Sequence, residues 1–353
     1  MPIECSLWPM NILTRASGEK DRKLLVHPQE CVKRAGMRRD ENEKLKIVDK
    51  KAIKIKPGIY FIEEKEQGHR HFYCRDADGA YHVYGRRLNV NREYADIMHK
   101  LRDVPLPTLP RETVIDMELI WPGHKDAEVT TAIKHCPEEL RMKAFAVPIY
   151  EGDIKVLASS QTYEDGRKLL IDTVGEENVC TLRGTVELSD DNKILELECL
   201  LSLIEENNIE GFVLKDKFCD GWWKLKGINE CDVFVVGFEI SDADTKKGLV
   251  TRVRVACVDD SKVISMGKVA GFNNEGEFDL TDKYTAYGES FENPYMFRAM
   301  RVVYQEIASK GKMKHGYFDG WRDDKSWNSC SMDQFDIDDK DVLLTLSVEL
   351  PEL

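Results

Sequence analysis

The sequence lacks several features that would place it in other classes of protein. No apolar run approaches the length needed to cross a bilayer. The N-terminus, MPIECSLWPMNILTRASGEK, lacks the charged-then-apolar order of a signal peptide. None of the ten cysteines forms a C-x-x-C pair, so a zinc ribbon or knuckle is not expected. A disulfide framework is not expected either in a chain this long with no secretory signal. We therefore expect a cytoplasmic protein (in the host cytoplasm if it is viral) with reduced cysteines and no membrane partner.

An excess of positive charge is also missing overall, although phosphate-binding surfaces are usually basic. The 353 residues, enough for two domains, carry a net charge of −13. Residues 1–60 hold 14 Lys/Arg and 8 Asp/Glu, or +6, and the remainder hold 37 and 56, or −19. The basic N-terminal segment, with KRAGMRRDENEKLK, is equally consistent with a solvated arm and with a DNA-contacting one.

The pattern of residues 58–230 predicts an α+β domain. GIYFIEEK, HFYCRD and AYHVYGRR are short, aromatic and β-branched, with the turn sequence DADG between the last two, which predicts three strands. TVIDMELIW, MKAFAVPIY, EGFVLK, WWKLKG and DVFVVGFEI also favour strands. ILELECLLSLIEENN has a helical stripe of apolar residues: Ile194, Leu197, Leu200, Leu201 and Ile204.

The last third of the sequence is mostly typical of strands. TRVRVACV alternates like a half-buried strand, and VLLTLSVEL predicts a closing strand. Between them, MFRAMRVVYQEIASKG is interpreted as the helical segment of this part. A five-stranded, partly open barrel of this size would be an OB-fold. We therefore predict a domain over residues 1–230, including the basic N-terminal segment, and a small β-barrel domain over residues 231–353.

A lysine motif follows the predicted strand YFIEE. Lys65 opens the string K-E-Q-G-H-R, which ends at Arg70 and fits K-x-x-G-x-R. Alone, this string is weak evidence for a catalytic site, because a strand end followed by a glycine turn and solvated charges would have the same sequence. Further candidates come after it in order: Arg86 in YGRRL, Glu118 in VIDMEL, Phe145 in KAFAVPIY, Glu210 and Lys215 in EGFVLK, and Lys224 and Lys226 in WWKLK. Solvated lysines and strand-edge carboxylates explain each one singly, but they do not explain the ordered set.

This ordered set resembles the covalent nucleotidyltransferases, which comprise DNA ligases, RNA ligases and mRNA capping enzymes. Their motifs run K-x-D-G-x-R, S-R, D-G-E, an aromatic strand, E-G-x-x-x-K and K-x-K. The C-terminal part is most similar to ATP-dependent DNA ligases of compact, phage-like size, because MGKVAGF resembles their G-K-V-G-x-G-F turn and Arg322 and Lys325 open and close an R-x-D-K string. The resemblance covers about residues 58–334. It implies an α+β nucleotidyltransferase (adenylation) domain with antiparallel sheets and flanking helices, followed by an OB-fold domain.

The sequence departs from the family pattern at four positions. Gln67 stands where the family usually has Asp, and Met117 replaces the Gly of D-G-E. Gly85 stands where Ser usually precedes the Arg, and Gly320 stands where an extra Arg usually precedes R-x-D-K. These departures bear on efficiency and substrate more than on the class of reaction.

The resemblance implies a chemical role for each candidate residue. Lys65 would attack the α-phosphate of ATP to give lysyl-AMP, which divides one difficult step into easier ones. Lys224 and Lys226 would disfavour the charged form of Lys65 and hold the phosphate oxygens. Glu118 and Glu210 are hard oxygen ligands suited to Mg²⁺.

The remaining residues would bind the nucleotide. Phe145 would stack on adenine, and Glu63 stands where the family reads adenine. Arg70 would contact the ribose or the 5′-phosphate of the nick, and Glu118 the ribose. Arg322 and Lys325 would grip the pyrophosphate, and the resemblance also implies nucleotide-binding roles for Arg86 and Lys215.

The function predicted from the sequence is the sealing of nicks in duplex DNA, 3′-hydroxyl to 5′-phosphate, with ATP and Mg²⁺. The family default is a monomer whose partner is nicked double-stranded DNA. Two alternatives stay open: an RNA ligase or capping guanylyltransferase with the same lysine chemistry, and a nucleic-acid-binding OB protein without catalysis. The intact candidate lysines and glutamates speak against the second.

Overall fold

The structure is a computed structural model that describes residues 29–33, 36–42, 44–85, 95–111, 113–124, 126–145, 149–150, 162–218, 221–260, 262–308, 311–335, 337 and 343–351. These residues divide into two compact units. The first contains the described residues up to Gly36 together with Leu45–Gly227, and the second contains Met37–Lys44 together with the described residues from Ile228 onwards. Arg86 and the first 28 residues of the basic N-terminal segment lie outside the described ranges.

The first unit contains two sheets. In the first, the spatial order is β1 (Gln29–Glu30), β12 (Trp222–Lys226), β11 (Gly211–Asp216), β4 (Gly58–Glu64) and β10 (Leu182–Leu188). In the second, it is β6 (Tyr81–Gly85), β5 (Gly68–Arg75), β7 (Thr113–Ile120) and β8 (Arg141–Ala144), and β9 (Ile149–Tyr150) also pairs with β7. Except for the parallel pair β1–β12, the neighbours in both sheets are antiparallel. The unit also has β3 (Leu45–Ile47) and the helices α1 (Asp126–His135), α2 (Tyr163–Val174) and α3 (Lys193–Glu206).

The strands predicted around the lysine motif are confirmed. The aromatic and β-branched residues of β4, β5 and β7 are largely buried, as expected for strands packed in a core. Gly68 starts β5 opposite Ile120, and a Cβ atom there would come within 2.4 Å of the Leu119 carbonyl oxygen. Glycine therefore allows β5 to begin close to β7, only three residues after Lys65.

Two further predictions for this unit have different outcomes. The apolar stripe predicted a helix over ILELECLLSLIEENN, and α3 buries Leu197, Leu200, Leu201 and Ile204. MKAFAVPIY was predicted as one strand, but it forms two, β8 and β9, which pair with opposite ends of β7. The separation lies at residues 145–148, of which 146–148 are outside the described ranges.

The second unit is a closed five-stranded barrel. Its strands are β13 (Asn229–Ile240), β14 (Val250–Asp259), β15 (Lys262–Ala270), β16 (Ala299–Tyr304) and β17 (Gly316–Trp321). The ring closes through the pairs β13–β14, β14–β15, β15–β17, β17–β16 and β16–β13, of which only β15–β17 is parallel. The five-stranded barrel confirms the predicted OB-fold, although its ring is closed where a partly open one was expected, and side chains such as Val233, Val255 and Val302 fill its core. The unit also contains β2 (Met37–Arg39).

The helix predicted in this unit was assigned to the wrong segment. MFRAMRVVYQEIASKG contains β16, which lies between β13 and β17 and is buried along almost its whole length. Phe297, just before the strand, has a φ of 61°, which a right-handed helix does not allow. The helix is α4 (Asn274–Tyr287), whose first turn is capped by the Asn273 side chain. Its sequence is mostly polar, so the apolar pattern did not reveal it.

The closing strand predicted from VLLTLSVEL is short. Within the described residues it is β18 (Thr345–Leu346), which pairs with β15 outside the ring of five strands. None of the helices in the described ranges is long and apolar enough to span a membrane.

Candidate active site

A cleft of about 760 Å³ opens between the two sheets of the first unit. The first sheet contributes residues from β4, β11 and β12, and the second contributes residues from β5, β7 and the end of β8. The cleft brings together eight of the residues that the sequence singled out: Glu63, Lys65, Arg70, Glu118, Phe145, Lys215, Lys224 and Lys226. Residues as far apart in the chain as Glu63 and Lys226 therefore meet in one place.

Glu210 links two lysines at the edge of this cleft. Lys65 Nζ lies 2.7 Å from Glu210 Oε2, and Lys226 Nζ forms an ion pair with Oε1 of the same carboxylate. The backbone N–H of Lys65 donates to the carbonyl of Gly211 at 2.9 Å, which fixes the end of β4 beside the start of β11. Burial and the charge of Lys65 lower the pKa of Lys226. The two ammonium groups are thus close neighbours that share one counterion.

Arg70, on the other sheet, is held by two contacts to the carboxylate of Asp116. Its Nε donates to Asp116 Oδ1 at 2.9 Å, and its Nη2 binds Asp116 Oδ2. Its guanidinium carbon lies 5.1 Å from the centre of the Phe145 ring. Phe145 therefore presents one face to Arg70, while its edge meets Trp222 with the ring centres 5.7 Å apart.

Glu118 is a carboxyl group in an environment that disfavours its charge. Burial raises its pKa to about 7, and the nearby carboxylates of Glu210 and Asp116 act in the same direction, while Lys65 and Arg70 oppose them. The register of β5 and β7 puts it opposite Arg70. Burial also raises the pKa of Glu66, which lines the same cleft. An added cation near these carboxylates would favour their charged forms.

Glu63 lies at the buried end of the cleft in a network of three partners. Lys215 Nζ lies 2.6 Å from Oε2, the Tyr163 hydroxyl donates to Oε1 at 2.7 Å, and Arg167 Nη1 is 3.7 Å from Oε1. Lys215 also contacts the Phe145 carbonyl and lies 4.1 Å from the centre of the Trp222 ring. Because Glu63 and Lys215 are almost fully buried, this network fixes the floor of the cleft.

The donor set fits Mg²⁺ only together with a phosphate ligand. No group of three or more His, Cys, Asp or Glu within the described ranges could hold a metal. Mg²⁺ in nucleotide sites is usually held by one or two carboxylates, substrate phosphates and water. Glu118 and Glu210, near enough for their charges to interact, can supply the carboxylates.

The second unit contains the two remaining predicted residues. Both Arg322 and Lys325 contact Asp232, with Arg322 Nη1 at 2.9 Å and 3.0 Å from the two carboxylate oxygens and Lys325 Nζ at 2.5 Å. Arg322 also binds Asp324 through Nε and Nη2. The sequence predicted a pair of cations, and the structure adds their counterions.

Sequence reasoning missed several residues of the first unit's cleft. Asp116 belongs to the D-M-E string that was noticed for Glu118, so its position was a usable signal. Tyr163 and Arg167 lie on α2, which the sequence reading did not identify. Their contact with Glu63, 100 residues earlier, has no local signature in the sequence.

The sequence and the structure give different results when they are compared with known proteins. No family model matches the sequence, and no curated protein matches it. Two solved structures named Pmar-Lig are similar in fold, with 15% and 16% identity and TM-scores of 0.51 and 0.53; the matches cover 75% and 76% of this chain. They span 64% of each of those longer chains.

A third similar structure is a Lig E DNA ligase, from an analysis of DNA binding with a minimal scaffold. It has 16% identity and a TM-score of 0.51, and the match covers 84% of this chain and all of the Lig E chain. The chain therefore has the fold of a compact DNA ligase, an α+β nucleotidyltransferase unit followed by an OB barrel.

Proposed function

We propose that this protein is an ATP-dependent DNA ligase that seals nicks in duplex DNA and uses Mg²⁺. The observation that carries the proposal is the cleft of the first unit, where Lys65 meets Glu210, Lys226 and Glu118. Residues of five motifs in family order line or border a cavity large enough for a nucleotide, on a fold that DNA ligases share.

In the first step, Nζ of Lys65 gives one proton to solvent and attacks the α-phosphorus of ATP. A P–N bond forms, the bond from phosphorus to the bridging oxygen of the β-phosphate breaks, pyrophosphate leaves and Nζ gives a second proton to solvent. The ion pair with Glu210 has to open for this attack, because the pair favours the protonated amine and a protonated amine has no free electron pair. Lys226, whose pKa burial lowers, is the adjacent cation that stabilises negative charge on the α-phosphate oxygens together with Lys224.

The cleft can also orient the nucleoside. Phe145 offers an aromatic surface for adenine, and Glu63, held by Lys215 and Tyr163, offers carboxylate oxygens that accept hydrogen bonds from its amino group. Arg70 is close enough to Glu118 for both to contact the ribose or the 5′-phosphate of a nick. Mg²⁺ held by Glu118 and Glu210 would neutralise phosphate charge.

In the later steps, AMP passes to the 5′-phosphate of the nick, and the 3′-hydroxyl then attacks that phosphate and releases AMP. Arg322 and Lys325 of the barrel are proposed to bind the pyrophosphate part of ATP in the first step only. Nicked duplex DNA is the proposed partner, and the protein is proposed to act as a monomer.

The central test is a search for a covalent AMP adduct after incubation with α-labelled ATP and Mg²⁺. We expect the wild type to become labelled and Lys65→Ala to stay unlabelled. The variant should still seal a nick that already carries 5′-AMP, because that step needs no lysyl intermediate. Lys46→Ala is the matched control, since Lys46 also pairs with a glutamate of the first unit, 3.1 Å away, but lies outside the cleft.

The acceptor is tested separately, with a nicked DNA duplex, a single-stranded RNA and a diphosphate-ended RNA. Sealing of the DNA alone supports the proposal. Preferential joining of RNA, or transfer of a nucleotide to the diphosphate end, would identify an RNA ligase or a capping enzyme. A labelled adduct on Lys65→Ala would assign the nucleophile to another residue, and an unlabelled wild type would indicate a binding protein.

A further inference from the structure

Asp232 is an unusually well-fixed carboxylate on the barrel. It lies on β13, and only 13% of its side chain is exposed. Its backbone N–H donates to Gln334 Oε1 at 2.8 Å, and its carbonyl accepts from Gln334 Nε2 at 2.8 Å. The side chain of Gln334 thus pairs with both backbone groups, as a neighbouring strand would, and holds Asp232 in register.

Cations from three different parts of the barrel converge on Asp232. Arg322 follows β17 and reaches both oxygens through Nη1, while Lys325 reaches Oδ2 from the next turn. Arg301, its cross-strand partner on β16, has Nε 3.9 Å from Oδ1. A fixed anion beneath flexible cationic side chains restricts the directions in which they can point.

A second carboxylate covers the opposite edge of Arg322. Asp324 Oδ1 and Oδ2 accept from Nε and Nη2 at 2.8 Å and 2.7 Å, a side-on pair of parallel hydrogen bonds. This is the edge that a guanidinium presents to a phosphate. Two-thirds of the Asp324 side chain is exposed, in contrast to Asp232.

We propose that Asp232 is a positioning residue that aligns Arg322 and Lys325, and that Asp324 is an internal counterion that the pyrophosphate of ATP displaces from Arg322. This rests on the proposed function, in which Arg322 and Lys325 bind pyrophosphate. The phosphates of the nucleotide replace Asp324, and not Asp232, as the partner of Arg322. An exposed ion pair contributes little and is readily replaced, whereas the side chain of Asp232 is only 13% exposed, holds both cations and is fixed at its backbone.

The two roles predict opposite effects from the same chemical change. Asp232→Asn and Asp324→Asn each remove one negative charge and keep the side-chain shape. Asp324→Asn should tighten pyrophosphate binding by about two- to fivefold, the scale of one exposed ion pair. Asp232→Asn should weaken it about tenfold, because the cations lose their alignment. The control is Asp323→Asn. It also removes one negative charge, next to Asp324 in the chain, but Asp323 binds Arg298 and not Arg322.

The experiment measures the binding of inorganic pyrophosphate to the full chain by calorimetry, and in parallel the ATP dependence of protein adenylation. We expect KM for ATP to be lowest in Asp324→Asn, intermediate and equal in the wild type and Asp323→Asn, and highest in Asp232→Asn. In each variant kcat should change less than KM. Sealing of a pre-adenylated nick should be equal in all four proteins. Asp232→Glu should restore part of the loss.

Three results would overturn the proposal. Tighter binding in all three variants would mean that only overall charge matters, and weaker binding in Asp324→Asn would make Asp324 part of the binding site itself. A higher KM together with a lower kcat and a lower melting temperature in Asp232→Asn, without recovery in Asp232→Glu, would make Asp232 a purely structural residue. An absence of adenylation in the wild type would reject the proposed function. The order of pyrophosphate affinities among the variants would still test this inference, because pyrophosphate binding is measured directly.

Discussion

The side chain of Lys65 is 2.7 Å from that of Glu210, so the proposed nucleophile is held by a carboxylate. An ammonium group in an ion pair is stabilised in its charged form, which cannot attack phosphorus. The same carboxylate binds Lys226 and is a proposed ligand of Mg²⁺. Recruitment of Glu210 to a metal would therefore release Lys65 at the moment when ATP arrives.

Glu210→Gln should change the pH dependence of adenylation as well as its rate. The amide keeps the shape of the side chain but leaves Lys65 and Lys226 without their shared negative charge. The rising limb of the pH–rate profile should move to lower pH, because a negative charge beside the lysine favours its protonated form and the amide removes that charge. The maximal rate should fall about tenfold or more because a metal ligand is lost. Single-turnover labelling from ATP across pH 6–9.5 measures both effects.

Glu198→Gln provides the control for this prediction, because Glu198 forms a comparable pair with Lys46 outside the cleft. Its pH–rate profile should match that of the wild type. An unmoved profile in Glu210→Gln would show that the ion pair does not govern the protonation of the nucleophile.

Glu118 should make Mg²⁺ use pH-dependent near neutrality. Burial raises its pKa to about 7, and a carboxyl group has to lose its proton to bind a metal. The Mg²⁺ concentration for half-maximal adenylation should therefore fall as the pH rises from 6 to 8. High Mg²⁺ should shift the midpoint of the pH profile downwards, since metal and proton compete. A half-saturating Mg²⁺ concentration that does not vary with pH would contradict the proposed ligand role.

The same carboxyl group should affect stability in a defined direction. Its pKa is raised from 4.5 to about 7 in the folded state, so its stabilising contribution is complete below about pH 4.5 and is lost as the pH rises through 7. Glu118→Gln should therefore be more stable than the wild type at pH 8, by about 1–3 kcal/mol, and not at pH 4.5. Urea unfolding at the two pH values provides the comparison.

Arg70 and Asp116 form a buried pair whose loss should be strongly non-additive. Their side chains are only 8% and 4% exposed. Arg70→Met and Asp116→Leu should each destabilise the first unit by about 3 kcal/mol, because each leaves a buried charge without its partner. The double variant should be more stable than either single one. All three should be inactive in sealing, since Arg70 is lost or misplaced, and additive free energies of unfolding would contradict the prediction.

His82 should stabilise the protein at acidic pH more than at alkaline pH. Its Nδ1 lies 2.8 Å from Asp96 Oδ2 and its Nε2 lies 3.2 Å from Asp76 Oδ2, and these partners raise the pKa of the imidazole above 6.5. The contribution is complete below pH 6.5 and is lost as the pH rises through the folded-state value. His82→Gln should therefore cost about 1 kcal/mol at pH 6 and less at pH 9.

Melting curves of His82→Gln and the wild type at both pH values test this directly. The control is His124→Gln, because the ion pair of His124 is with one partly exposed glutamate, Glu128, 3.6 Å away, and its ring stacks on Trp121. An equal cost of His82→Gln at the two pH values would mean that the imidazole acts through shape or neutral hydrogen bonds alone.

The sequence predicted the strands and the motif residues of the cleft well, because both are marked by local patterns. The strands β4, β5, β7, β11 and β12 combine buried apolar, aromatic and β-branched side chains with motif residues in or next to the strands, so pattern and motif order together revealed both. The sequence did not predict the partners of those residues. Asp116 binds Arg70 because of the register between β5 and β7, and Tyr163 binds Glu63 across 100 residues of chain.

The misassigned helix has a similar cause. MFRAMRVVYQEIASKG has apolar residues spaced for a helix, but β16 pairs on both edges and is buried almost throughout, so it does not show the alternation of an exposed strand. Local spacing cannot distinguish these cases, because the deciding hydrogen bonds go to strands that lie before and after it in the chain.

The early segment Met37–Lys44 has a consequence for the order in which the protein is completed on the ribosome. It belongs to the second unit, whose other residues are synthesised only after the whole of Leu45–Gly227 has been made. Its Arg38 binds Asp319, and the backbone N–H of Arg39 donates to Glu230 at 3.2 Å. A fragment that begins at Ile228 would leave the nearly buried Asp319 without Arg38. Met37–Lys44 must therefore wait for the residues from Ile228 onwards to be synthesised before the barrel has all its contacts.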